Sequence, residues 1–95
     1  MSDAEEYEEG DANVVPAASA RDVLEYLVRS IVGDPDAVQI DASDAGRSTR
    51  LDVTVGPGDM GRVIGKRGRV AGAIRTVVGA AAAKDGVSVE VEFVD

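Results

Sequence analysis

Between Ser19 and Pro35 the apolar residues recur on a helical period. Val23, Leu24, Leu27, Val28, Ile31 and Val32 make one apolar face. Ser19, with Asp22 three residues on, predicts the N-terminal cap of this helix, and Gly33 and Pro35 predict its end. The period then changes to two. Val38, Ile40 and Ala42 alternate with polar residues, as do Leu51, Val53 and Val55. The segment SDAGRS between them supplies turn residues, so the pair reads as two antiparallel strands, each with one buried face. Pro57 and Gly58 stop the second strand. Asp59 then predicts the cap of a short helix through about Ile64, broken by Gly65 and Gly68. A further helix is expected from about Arg69 to Ala83, with an apolar stripe of Val70, Ile74, Val77, Val78 and Ala81. Ala71, Ala73, Ala80 and Ala82 favour helix or close packing, and the costly Gly72 and Gly79 predict close contacts. After a turn at Gly86, Val87, Val89, Val91 and Phe93 alternate with Ser88, Glu90 and Glu92 as a last half-buried strand.

The order is α-β-β-α-α-β. Three amphipathic strands with helices on one face make a two-layer α+β domain over residues 19–95. Residues 1–18 lack apolar periodicity and include Pro16, which predicts a disordered acidic tail and linker. Ninety-five residues suffice for one domain with a modest core.

Charge changes this picture. The formal net charge is −8, which by itself argues against a nucleic-acid partner. But Asp3, Glu5, Glu6, Glu8, Glu9 and Asp11 crowd the first residues with no Lys or Arg among them, so the rest of the chain is close to −2. This tail reads either as a solubilising segment or as one that competes with RNA for the basic part of the chain. Positive charge is also concentrated. The stretch GRVIGKRGRVAGAIR, Gly61 to Arg75, holds Arg62, Lys66, Arg67, Arg69 and Arg75, half of the ten cations, with four glycines and no acid.

Gly65-Lys66-Arg67-Gly68 joins two expected helices with almost no loop. Such a connection needs backbone conformations that a side chain resists, hence glycine. It also has a chemical consequence. The unpaired N–H groups and positive dipole end of the following helix attract a phosphate, and glycine lets a phosphodiester come close to the backbone. Lys66 and Arg67 place charge beside the same phosphates, with Arg62 and Arg69 flanking them.

A GxxG alone is a short, common pattern. A GxxG between two helices, preceded directly by Val63 and Ile64, with two strands before and one after, resembles the KH domain, whose GxxG loop clamps a short stretch of nucleic-acid backbone. The element order resembles the type II arrangement. The longer string VIGKRGRVAGAIRTVVGAAA resembles the bacterial KhpA family of small single-KH RNA-binding proteins over residues from about 18 to 95. The resemblance implies single-stranded RNA binding, no catalysis and no cofactor. It also implies a homodimer or a heterodimer with a larger KH protein of the KhpB or Jag type, and roles in RNA chaperoning and in control of cell shape and division. Carried onto this chain, Gly65, Lys66, Arg67 and Gly68 are the phosphate loop. Val63 and Ile64 sit where KH domains line an apolar groove for bases; Ile74 either supports that groove or belongs to the core. By the same resemblance, the strand Leu51 to Val55 borders the groove and its backbone faces base edges. Arg50 stands there too, or is simply a surface cation, as Arg47 is. Ala71 departs from the large aliphatic residue that many KH domains carry three positions after the motif.

Other function classes find little support. Tyr7, Tyr26 and Phe93 are the only aromatics and are scattered, so an aromatic stacking platform is not expected and bases would meet aliphatic and backbone groups. There is no histidine or cysteine, and the acids lack metal-ligand spacing, which argues against an enzyme and against a metal site. A P-loop needs Ser or Thr after Gly-Lys and a preceding strand; here Arg67 follows Lys66 between helices. No apolar run approaches a membrane span, and MSDAEEYEEGD lacks the cations and apolar stretch of a signal peptide, so a cytoplasmic location is expected. The main rival is a protein-interaction module that keeps the fold for assembly, through the last strand or the alanine-rich face of the last helix.

Overall fold

The structure, a computed structural model, describes residues 18–95. The acidic tail lies outside the described residues. The element order is α1 (Ala18–Ile31), a 3-10 turn (Pro35–Ala37), β1 (Gln39–Asp44), β2 (Thr49–Thr54), α2 (Met60–Ile64), a second 3-10 turn (Lys66–Gly68), α3 (Arg69–Lys84) and β3 (Val89–Phe93). This is the predicted α-β-β-α-α-β order of a type II KH domain.

The sheet has the order β1-β2-β3. β1 and β2 are antiparallel, with Ile40 opposite Val53, and β2 and β3 are parallel, with Leu51 opposite Val91. The hairpin turn is held by the Ala45 amide donating to Ser48 O (2.9 Å) and by the Gly46 amide donating to Asp44 Oδ1 (2.9 Å). Gly46 has φ 89°, a conformation L side chains resist.

One face of the sheet is apolar and carries the helices. Ile40, Leu51, Val53 and Val91 are buried against Leu24, Val28 and Val32 of the α1 region, Val63 of α2, and Ile74, Val78 and Ala82 of α3. On β1 the buried pattern fades beyond Ile40, where the hairpin runs out past the helices and Ala42 is exposed.

The structure corrects three details of the sequence reading. The α1 helix is already formed at Ala18, so Ser19 lies inside its first turn and is not the cap. In α3 the core-facing residues are Ala71, Ile74, Val78 and Ala82, while Val77 is 49% exposed; the stripe is rotated because α3 divides its apolar residues between the sheet and α1. Gly72 and Gly79 mark no close internal contact, since a Cβ at either would meet nothing within 4 Å.

The tight contact is at Gly65. This residue has φ 75° and ψ 174°, and a Cβ there would come 2.8 Å from Val70 Cβ and 3.0 Å from the Val70 backbone nitrogen. Gly68 also has positive φ (73°), but a Cβ there would meet nothing within 4 Å. The two glycines of one motif should therefore respond differently to alanine. Gly65→Ala combines backbone strain with a clash and should cost roughly 2–4 kcal/mol. Gly68→Ala carries only the left-handed penalty, about 1 kcal/mol. Thermal melts of the two variants check this: the first should lose roughly 10–20 °C and the second about 5 °C. Equal losses would contradict the contact.

Candidate nucleic-acid interface

Helix α2 has five residues, too few to be stable alone. It is placed by Val63, which is 0% exposed, and by Asp59 at its start. The Gly65 amide closes α2 by donating to Gly61 O (2.9 Å), the Gly68 amide donates to Gly65 O (3.1 Å), and the Arg69 amide donates to Lys66 O. Three of the four residues Gly65 to Gly68 have positive φ, including Arg67 at φ 59°, ψ 25°. This run of left-handed residues turns the chain from α2 into α3 within a single 3-10 turn. Among the described residues, the Lys66 and Arg67 amides meet no backbone acceptor, which leaves two N–H groups available at the turn.

Directly after the turn comes the N-terminus of α3, a 16-residue helix about 24 Å long with the positive end of its dipole at Arg69. Lys66, Arg67 and Arg69 are exposed, and no ion pair joins them to any described residue. No acid occurs between Asp59 and Asp85. The loop is thus a compact cationic protrusion with open backbone donors, suited to oxyanions of a phosphodiester chain.

The predicted site residues divide by position. Gly65, Lys66, Arg67, Gly68 and Arg69 form the protruding turn. Ile64 is half-buried beneath it. Val63 is fully buried, so it serves the site as the anchor of α2 and presents no surface to a base. Ile74, 3% exposed, is core. Arg62 is beside the loop, but its Nε lies 3.4 Å from Asp59 Oδ1. Asp59 is the cap expected from the sequence. It occupies the N-cap position, yet its side chain makes no cap bond; it accepts hydrogen bonds from the Gly33 and Asp34 amides instead.

The strand Leu51 to Val55 does not offer its backbone to bases. β2 is the central strand, hydrogen-bonded to β1 on one side and β3 on the other. The free edges belong to β1 and β3. Each is met by an arginine from the helix layer: Arg21 Nη2 donates to Ile40 O (3.0 Å), and Arg75 Nε donates to Val91 O (3.1 Å) while its guanidinium sits 5.5 Å from the Phe93 ring centroid. These contacts blunt the edges against strand addition. Strand order is a tertiary fact, and alternation within a single strand carries no trace of it.

Arg50 is on the opposite face of the sheet. Its Nε bonds Asp52 Oδ1 at 2.7 Å, and that hydrogen bond, with the charges of Asp52, Glu92 and Glu90, raises its pKa above the ordinary value. This outer face is acidic, with Asp41, Asp52 and Glu92 side by side across the strands. Polyanions are repelled there and attracted at the loop. Tyr26, 72% exposed, is on α1, and no aromatic residue occurs in α2, the loop or α3.

One apolar depression is also present. Leu27 and Ile31 of α1 and Val70, Ala73, Ile74 and Val77 of α3 line it, and Arg69 borders it. Among the described residues no group of His, Cys, Asp and Glu could hold a metal ion, and no helix is long and apolar enough to cross a membrane.

Comparison with known proteins agrees with this geometry. The sequence profile described as "KhpA/KhpB, KH domain" matches residues 21–93. The chain is 46% identical over 74 residues to the RNA-binding protein KhpA of Clostridium acetobutylicum, covering 78% of this chain and 99% of that protein. It is 47% identical over 74 residues to RNA-binding protein KhpA of Streptomyces coelicolor, covering 78% and 92%, and 40% identical over 74 residues to that of Borreliella burgdorferi, covering 78% and 90%. With this match over residues 21–93, and with its element order and sheet topology, the chain belongs to the KhpA/KhpB KH-domain family.

Proposed function

We propose that this protein is a non-catalytic binder of single-stranded RNA whose Gly65–Gly68 turn grips the phosphate backbone. The observation that carries this reading is the cationic turn itself: Lys66, Arg67 and Arg69 exposed without acidic partners among the described residues, beside open backbone N–H groups and the start of α3. The relatives are named RNA-binding proteins, which supports the same reading. Contact is confined to the loop side because the outer sheet face is acidic. Without aromatic stacking or base-reading side chains at the loop, one domain binds weakly and with little base preference. A role as an RNA chaperone or post-transcriptional regulator in the cytoplasm fits such binding.

The test is a titration of fluorescent single-stranded RNA with wild type and with Lys66→Asp/Arg67→Asp, at several salt concentrations, with circular dichroism as the check of fold. Wild type should show a log–log salt slope of roughly −2 to −3, as for about four phosphates on a single strand. The double variant should stay folded and lose the binding. Wild-type affinity retained by the folded variant would exclude the loop as the RNA site.

A second property, assembly, is favoured by the apolar depression between α1 and α3. Val77 is 49% exposed amid Leu27, Ile31, Val70 and Ala73, a surface that costs free energy in water. It suits self-association, or pairing with a larger KH protein of the KhpB type, and would place two weak phosphate loops on one RNA. Light scattering coupled to size exclusion should find wild type larger than a 9.8 kDa monomer. Val77→Asp should reduce it to the monomer without unfolding it. A Val77→Asp protein that remains the size of wild type would remove this face as the interface.

A further inference from the structure

We propose that Asp59 is a positioning residue for the phosphate loop: its carboxylate ties the end of α1 to the start of α2 and so fixes where the loop stands. The affinity part of the test below rests on the RNA-binding reading; the exchange part does not.

Asp59 is the buried charged residue among the described residues, at 5% exposure. An unpaired carboxylate in such a place is costly, so its partners explain its presence. Oδ1 accepts the Gly33 amide at 3.0 Å and Oδ2 accepts the Asp34 amide at 3.1 Å. Both amides belong to the turn that leaves α1. On the same side Arg62 Nε is 3.4 Å from Oδ1. The backbone of Asp59 is committed as well. Its amide donates to Gly56 O (3.1 Å), and its carbonyl accepts the amides of Arg62 (3.0 Å) and Val63 (3.3 Å). One residue therefore holds three things together: the exit of α1, the first turn of α2, and the guanidinium of Arg62.

This matters for the loop because α2 has few other attachments. It is five residues long, and Val63 is its only buried side chain. Met60 and Ile64 also pack against the core but are only partly buried, so Val63 is the one full apolar anchor and the helix can pivot about it. The Asp59 fork supplies the second point of attachment, away from Val63 along the chain, and two points fix an orientation. The Gly65–Gly68 turn follows at the other end of α2 and moves with it.

Charge predicts the opposite sign from positioning, which makes the test sharp. Neutralising a carboxylate near a polyanion site strengthens binding by Coulomb attraction and releases Arg62 from its partner. If Asp59 acts by positioning, Asp59→Asn weakens binding despite this. The experiment uses the full chain with Asp59→Asn and Asp59→Ala, at a temperature where circular dichroism shows each folded; the isosteric Asn variant serves if the Ala variant does not fold. Amide hydrogen exchange is followed at Gly65, whose N–H is bonded to α2, and at Gly68 and Arg69, whose N–H groups are bonded within the loop, with the amides of β2 as internal reference. Asp59→Asn should speed exchange at the three loop amides about tenfold or more while leaving the β2 amides within about twofold. Affinity for single-stranded RNA should fall at least about fivefold, with Asp59→Ala weaker still. A residue that merely contributes stability would lower the melting temperature and leave both readouts of the folded protein unchanged. Loop protection equal to wild type overturns the proposal, whether or not the domain binds RNA; unchanged or stronger RNA affinity with faster loop exchange overturns the link from position to binding.

Discussion

The close approach of Gly65 to Val70 is the constraint on which the interface depends. A connection of one 3-10 turn brings α2 and α3 together so tightly that no β-carbon fits at Gly65. Everything exposed on the loop follows from this. The chain must reverse through left-handed conformations, so successive carbonyls turn inward to bond Gly68 and Arg69 while the Lys66 and Arg67 amides are left outward. A longer loop would relieve the contact but would let those donors find partners in the protein, and the entropy of ordering it would oppose any ligand.

Charge is distributed so that this small feature prevails over an acidic chain. The outer sheet face sets Asp41 beside Asp52 and Asp52 beside Glu92, like charges that disfavour one another and are eased by Arg50, which pairs with Asp52. On the helix layer, Arg21 and Arg29 are paired with Glu25. Lys66, Arg67 and Arg69 stand apart from these pairs. With a screening distance of about 8 Å at physiological salt, a polyanion at the loop senses the adjacent cations most strongly. Net charge is thus a poor guide to partner here, because the sum hides where the charges stand.

The sequence made most of the fold legible because its periods were clear: the helical spacing of Leu24, Leu27, Val28 and Ile31, and the alternation at Leu51, Val53 and Val55. The tight turn at Gly65 was legible because a glycine that must be glycine leaves an unmistakable residue type. What was not legible depended on partners distant along the chain. Nothing local says that Asp59 will bond the Gly33 and Asp34 amides in place of its own helix, since an N-cap aspartate looks the same in either case. The exposure of Val77 likewise depends on α3 sharing its apolar side between the sheet and α1. The expectation that the β2 backbone faces base edges failed for the same reason: an alternating strand reads identically at the centre and at the edge of a sheet.

Arg67 shows how function and stability are divided within the loop. At φ 59° it occupies a conformation that disfavours any L side chain by roughly 1–2 kcal/mol, and glycine stands at both ends of the same turn. Stability alone would favour a third glycine there, or asparagine. An exposed arginine contributes little to the core that could offset the strain, and it forms no ion pair with a described residue. What it does is direct a permanent charge outward from the apex of the turn, beside a backbone donor, on a frame fixed by Gly65 below it. A strained, exposed, unpaired cation is poorly explained by folding; it is well explained by a ligand that is negatively charged and reaches the backbone. The local cost in the free protein is what the proposed grip on a phosphate backbone would require.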